Sequence, residues 1–263
     1  MKKLWKDTLK CELLEVHCDK TAEEMRTLLR QVGEEKDCDY AVVVISTHGG
    51  MVAVEEHTSV KTDKQDQNET PKSEESVNTE KKNKSNPKKY EEVLFGNDRS
   101  KLKAEEIQEI FRNENTKNLQ DKPKLFILQY CRGSILDCGV DRDDFSDYPD
   151  TGVFYHIENQ EYLGQDLQET TKVDTLMPSM CDVVTAYPTH LNHQAFNSKS
   201  SGSWIIRYIS EVFGKYYKTK HVTDMLTIVN NKMKNHRGVN EHGKNCKAMS
   251  IYESSLTKDF YLV

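Results

Sequence analysis

Cys131 and His48 are the two residues whose type and setting suit covalent acyl transfer. Cys131 stands in Gln129-Tyr130-Cys131-Arg132-Gly133, at the end of the apolar run Lys124-Leu125-Phe126-Ile127-Leu128. A sulfur placed where a buried strand opens into a loop is held rigidly and still exposed, as a nucleophile requires. His48 stands in Thr47-His48-Gly49, after a second apolar run. The two lie 83 positions apart. A polar stretch, 57–89, accounts for 33 of those positions and leaves 50.

The segments that position this pair follow from periodicity. Thr21-Ala22-Glu23-Glu24 forms a capping box ahead of a helix over 21–33, with Met25, Leu28, Leu29 and Val32 on one face. Residues 40–46 are continuously apolar and read as a strand buried on both faces. A helix is expected near 103–113, a strand over 124–130 and another over 181–187. Helical stripes run through Trp204, Tyr208, Ile209, Val212 and Phe213, and through Val222, Met225, Leu226, Val229 and Met233. Phe260 to Val263 reads as a last strand. Buried strands separated by amphipathic helices predict an α/β sandwich with a mainly parallel sheet. Ligands of such sheets sit outside the carboxyl ends of the strands, where His48 and Cys131 both fall.

Composition narrows the function classes. The chain has 263 residues, enough for one large domain or two small ones. A net charge of −6 argues against nucleic-acid and anionic-membrane surfaces. No apolar run reaches the ~18 residues of a membrane helix. The N-terminus carries lysines without an apolar core behind them, so no signal peptide is read. Seven cysteines without regular pairing predict a reduced, cytoplasmic protein. Cys131 and Cys138 are too far apart for a C-x-x-C site, and no metal site is expected. Residues 57–89 hold eight lysines and six acids, with only Val60 and Val77 strongly apolar, and read as a disordered insertion.

The chain resembles the caspase family of cysteine endopeptidases. The resemblance rests on Leu14 to Glu24, Val44 to Gly49, Lys122 to Gly133, Asp182 to Tyr187, Gly202 to Trp204 and Ser255 to Lys258, in the family's order. It implies a caspase-like sandwich in which Cys131 is the nucleophile and His48 the general base and acid. A thiolate is the reactive form of cysteine, and a nearby imidazole favours it. The imidazole can then protonate the leaving amine. The backbone N–H groups of Gly49 and Cys131 match the oxyanion hole, where glycine permits a close approach. Gln129 matches a residue lining the S1 pocket. Ala195, Phe196 and Trp204 match the S2 to S4 walls.

Three departures accompany the resemblance. The family binds a P1 aspartate between two arginines, because a buried carboxylate needs charge-assisted partners. Asn197 stands at the position of the second arginine, and Arg207 lies inside a predicted helix beyond it. The first arginine belongs to an early segment that this chain lacks, together with the family's first strand. Tyr130 replaces a small residue beside the nucleophile.

Two readings follow. The first is an endopeptidase acting on protein substrates. The second is a homologue without peptidase activity that regulates an active caspase by dimerising with it. Neither dyad chemistry nor dimerisation calls for a cofactor. A homodimer or a heterodimer with another caspase is the expected assembly. Residues 1–140 form the part with His48 and Cys131, 141–175 an acidic processing linker, and 176–263 the remainder. His190, His193, His236 and His242 read as solvated residues.

Overall fold

Strand β5, Lys124–Gln129, is buried along its whole length and sets the plan of the molecule. The structure, a computed structural model, describes residues 1–12, 16–36, 38–54, 89–141, 176–198 and 200–263. The expected insertion and linker therefore fall outside the described residues, except for Lys89 and Asp141.

A short helical turn at Leu4–Thr8 precedes α1, Ala22–Glu34. Thr21 caps α1 as its sequence requires: its side chain accepts from the Glu24 N–H while the Glu24 carboxylate accepts from the Thr21 N–H. β1, Ala41–Ser46, leads through Thr47 and His48 into β2, Gly49–Ala53. β3, Tyr90–Phe95, and β4, Lys101–Lys103, precede α2, Ala104–Ile110. After β5 come β6, Val183–Tyr187, and the short strands β7, Asn197–Ser198, and β8, Gly202–Ser203. Helices α3, Trp204–Tyr216, and α4, Val222–Asn235, follow. β9, Gly238–Val239, β10, Asn245–Cys246, and β11, Ile251–Ser254, complete the order.

The central sheet runs β1-β5-β6-β11. β1, β5 and β6 are parallel, and β11 joins β6 antiparallel. Side chains of β5 alternate between two cores, as a period of two dictates. Leu125 and Ile127 pack with α3 and α4, whereas Phe126, Leu128 and Tyr130 pack with α1 and α2. The fold is the expected α/β sandwich with a mainly parallel sheet. A second sheet, β2-β3-β4, is antiparallel.

Two sequence expectations are corrected. β1 is not buried on both faces: Ala41 and Val43 are buried, but Val44 is 36% exposed. Among the described residues β1 pairs only with β5, so it is an edge strand, and a continuous apolar run does not report position in a sheet. Phe260 to Val263 form no strand. Phe260 and Leu262 are buried, and the Phe260 carbonyl accepts from the Val222 N–H at 2.8 Å. The alternation is satisfied by packing at the start of α4, and β11 is the last strand.

Lys124 opens β5 at 1% exposure. Its ammonium donates to the carbonyls of Leu119 and Lys122, both at 2.9 Å, and burial lowers its pKa. No helix among the described residues is long and apolar enough to cross a membrane.

The two strand environments differ enough to measure. Phe126→Ala, in the central strand, is expected to cost about 3–5 kcal/mol. Val44→Ala, on the open edge, is expected to cost less than about 1 kcal/mol. Urea unfolding of the two variants checks the contrast, and equal losses would contradict this placement of the strands.

Candidate active site

β1 and β5 are paired in register up to Ser46 and Gln129. One further bond, Thr47 N–H to the Gln129 carbonyl at 3.0 Å, carries the pairing past the strand ends. His48 and Cys131 each lie two residues beyond those last partners, at the carboxyl ends of neighbouring strands. There the chain leaves the central sheet for the second one. Thr47 Oγ1 donates to the Phe95 carbonyl at 2.7 Å, and the Phe95 N–H donates to the His48 carbonyl at 2.8 Å. The backbone at His48 is thus tied to β5 on one side and β3 on the other. Its ring is exposed and has no hydrogen-bond partner among the described residues.

Gly49 is a glycine by necessity. A Cβ there would lie 2.6 Å from the Tyr130 ring and 2.6 Å from the Val93 carbonyl oxygen. Tyr130, the departure beside Cys131, is fully buried and fills this space.

Cys131 is half-buried, and its Sγ lies 3.6 Å from the Ala195 carbonyl oxygen, to which it donates. The segment bearing Ala195 is zipped onto the residues that follow the cysteine. The Arg132 N–H donates to the His193 carbonyl at 3.1 Å and the Asn192 N–H to the Arg132 carbonyl at 3.0 Å. The Ile135 N–H donates to the Asn192 carbonyl, and the Gln194 N–H to the Ile135 carbonyl, both at 2.9 Å. Gly133 permits the contact, since a Cβ there would collide with the Asn192 backbone.

Gln129 is 7% exposed and accepts from Ser203 Oγ at 2.6 Å. Ser203 also caps α3 by accepting from the Ile206 N–H, and it pairs with Asn197 across β7 and β8. Asn197 is therefore brought near Gln129 through Ser203, and it is itself exposed. Sequence reasoning missed Ser203, whose signal was its place directly before a helical stripe.

Phe196 and Trp204 stack at 4.9 Å between ring centroids. Trp204 in turn meets the His236 ring edge-on at 4.1 Å. This corrects the expectation that His236 is a solvated residue. His236 ends α4, and its Nδ1 lies 2.8 Å from the Tyr208 hydroxyl. Arg207 donates to the same hydroxyl at 2.8 Å and to Ser201 Oγ at 3.4 Å. Its guanidinium is committed to this cluster. His190 is exposed, and His193 uses Nδ1 on the Leu191 carbonyl at 2.9 Å.

The comparisons with known proteins agree with this architecture. The sequence pattern described as Caspase domain matches residues 1–261, and the chain belongs to that family. It is similar to Caspase-2 of Gallus gallus, 34% identical over 164 residues that cover 59% of this chain and 36% of the relative. It is similar to Caspase-6 of Gallus gallus, at 30% over 160 residues, 59% of this chain and 49% of the relative. Cell death protein 3 of Caenorhabditis remanei is 29% identical over 165 residues, 59% of this chain and 32% of the relative. The chain thus spans between about a third and a half of the length of these relatives.

The cluster behind Trp204 contains a titratable group, His236. Burial lowers the pKa of His236 from its ordinary value of 6.5, and the positive charges of Arg207 and Lys247 act in the same direction. Folding therefore favours the neutral imidazole. Its stabilisation is complete above the unfolded value and is lost as pH falls below about 6.5. Melting temperatures between pH 7.5 and 5.5 should decline less steeply in His236→Gln than in the unmodified chain. Equal slopes would contradict this.

Proposed function

We propose that the chain is a caspase-type cysteine endopeptidase that cleaves intracellular proteins in apoptosis-type signalling. The reading rests on one observation, the β1–β5 register that delivers His48 and Cys131 to the same edge of the sheet. His48 takes the thiol proton, and the sulfur attacks the scissile carbonyl. The oxyanion is received by the N–H groups of Gly49 and Cys131. Collapse forms a thioester and expels the amine, which leaves with the proton held by His48. Water then hydrolyses the thioester with His48 as base and restores the thiol. Phe196, Trp204 and the Ala195 backbone line the substrate path. The protein acts in the cytoplasm, as a homodimer or paired with another caspase, after cleavage within the acidic linker 141–175.

The second reading, a homologue without peptidase activity that regulates a partner by dimerising, is favoured by the S1 position. Asn197 brings no charge there, and the guanidinium of Arg207 is engaged with Ser201 and Tyr208. A P1 aspartate would be desolvated without a cationic partner. Removing one member of a buried charge pair costs about 2–5 kcal/mol, or roughly 30- to 5,000-fold at about 1.4 kcal/mol per tenfold.

A P1-randomised peptide library separates the readings. Cleavage that favours Asn or Gln over Asp, and that vanishes in Cys131→Ala, is the expected result. Asn197→Arg should raise cleavage after Asp. No cleavage of any peptide would favour the regulatory reading, and efficient cleavage after Asp by the unmodified chain would sink the specificity argument.

A further inference from the structure

Two charged or polar side chains flank the nucleophile, and both reach one carboxylate. Tyr130 Oη donates to Glu92 Oε1 at 2.9 Å. Arg132 Nε donates to the same oxygen at 2.5 Å, and its Nη2 to Oε2 at 3.0 Å. Arg132 also lies over the Tyr187 ring, 3.9 Å from its centroid, and donates to the Thr189 carbonyl at 3.4 Å. The ion pair is largely out of water, with side chains 6% and 16% exposed for Arg132 and Glu92. Charge-assisted, bidentate bonds in such a setting are short and directional.

The geometry has a consequence for Cys131. The chain bends at Tyr130 as it leaves β5, and the side chains on either side of Cys131 still converge on one acceptor. Tyr130 and Arg132 are drawn to the same carboxylate, so the thiol between them is turned away from it, toward Ala195. Glu92 also belongs to β3, whose partner β2 begins at Gly49. The Tyr130 ring bears directly on Gly49. One carboxylate therefore links the element carrying the sulfur to the hairpin carrying the Gly49 N–H.

We propose that Glu92 is a positioning residue, a clamp that holds Tyr130 and Arg132 and so fixes the direction of the Cys131 thiol relative to the Gly49 N–H. The inference rests on the peptidase reading above and deepens it. It also accounts for Tyr130: the bulky residue is accommodated because the hairpin supplies an acceptor for its hydroxyl. A misplacement of about 1 Å at a reacting centre can cost on the order of 100-fold in rate.

The test separates positioning from plain stability. Glu92→Ala leaves Arg132 buried without its partner, so a lower melting temperature is expected whatever the role. The informative protein is the double variant Glu92→Met/Arg132→Met, which replaces the pair by apolar groups and should recover most of that stability. The clamp predicts that its kcat on the best library peptide stays at least about tenfold below the unmodified chain, with KM within about twofold. Tyr130→Phe, which removes one of the three bonds, should lower kcat by less. Recovery of kcat together with stability would overturn the proposal. If the unmodified chain cleaves nothing, the peptidase reading fails, and the clamp is decided by iodoacetamide labelling. The rate at Cys131, relative to exposed Cys18, should then change at least about threefold in the double variant. An unchanged ratio would overturn it.

Discussion

The parallel pairing of β1 with β5 is the constraint on which the rest of the site depends. Six residue pairs in register, closed by the bond from Thr47 to Gln129, bring two sequence-distant segments to one edge. Parallel register is strongly specified where faces are buried, because a slip by one residue would invert every side chain. Here a slip would move Phe126 and Leu128 into the core under α3 and α4. The packing of β5 against two different cores therefore protects the alignment of His48 with Cys131.

Beyond the strand ends, two of the closest approaches leave no room for a side chain. Gly49 lies under Tyr130, and Gly133 lies against Asn192. The segment carrying Cys131, just past the end of β5, is gripped from both sides: by the β2–β3 hairpin through Glu92, and by residues 192–195 through backbone bonds. The Cys131 thiol spends its proton on the Ala195 carbonyl in this arrangement.

Much of this was legible in sequence, and the reasons are physical. β5 was readable because it is central and its apolar run is unbroken. α1 was readable because the capping box is a local interaction between Thr21 and Glu24. The stripes of α3 and α4 follow from a period of 3.6. The placement of His48 and Cys131 at neighbouring strand ends followed from spacing, and the contact of Phe196 with Trp204 joins two positions that the resemblance had singled out. What failed depended on tertiary context. An apolar run does not say whether a strand is central or at an edge, so β1 was misjudged. Phe260 and Leu262 alternate as a strand would, but find their burial by α4. His236 and Glu92 gave no signal because their partners lie far away in sequence: Trp204 and Tyr208 for one, Tyr130 and Arg132 for the other.

The central claim, that the register lays His48 beside Cys131, can be tested without reference to catalysis. Paired strands are about 4.8 Å apart, the last partners in register here are Ser46 and Gln129, and a disulfide needs its Cα atoms within about 4.4–6.8 Å. His48→Cys, oxidised under mild conditions and mapped by non-reducing mass spectrometry, should yield a bond between positions 48 and 131. A Cys131 that stays free, or that pairs with any other cysteine in preference, would contradict the account.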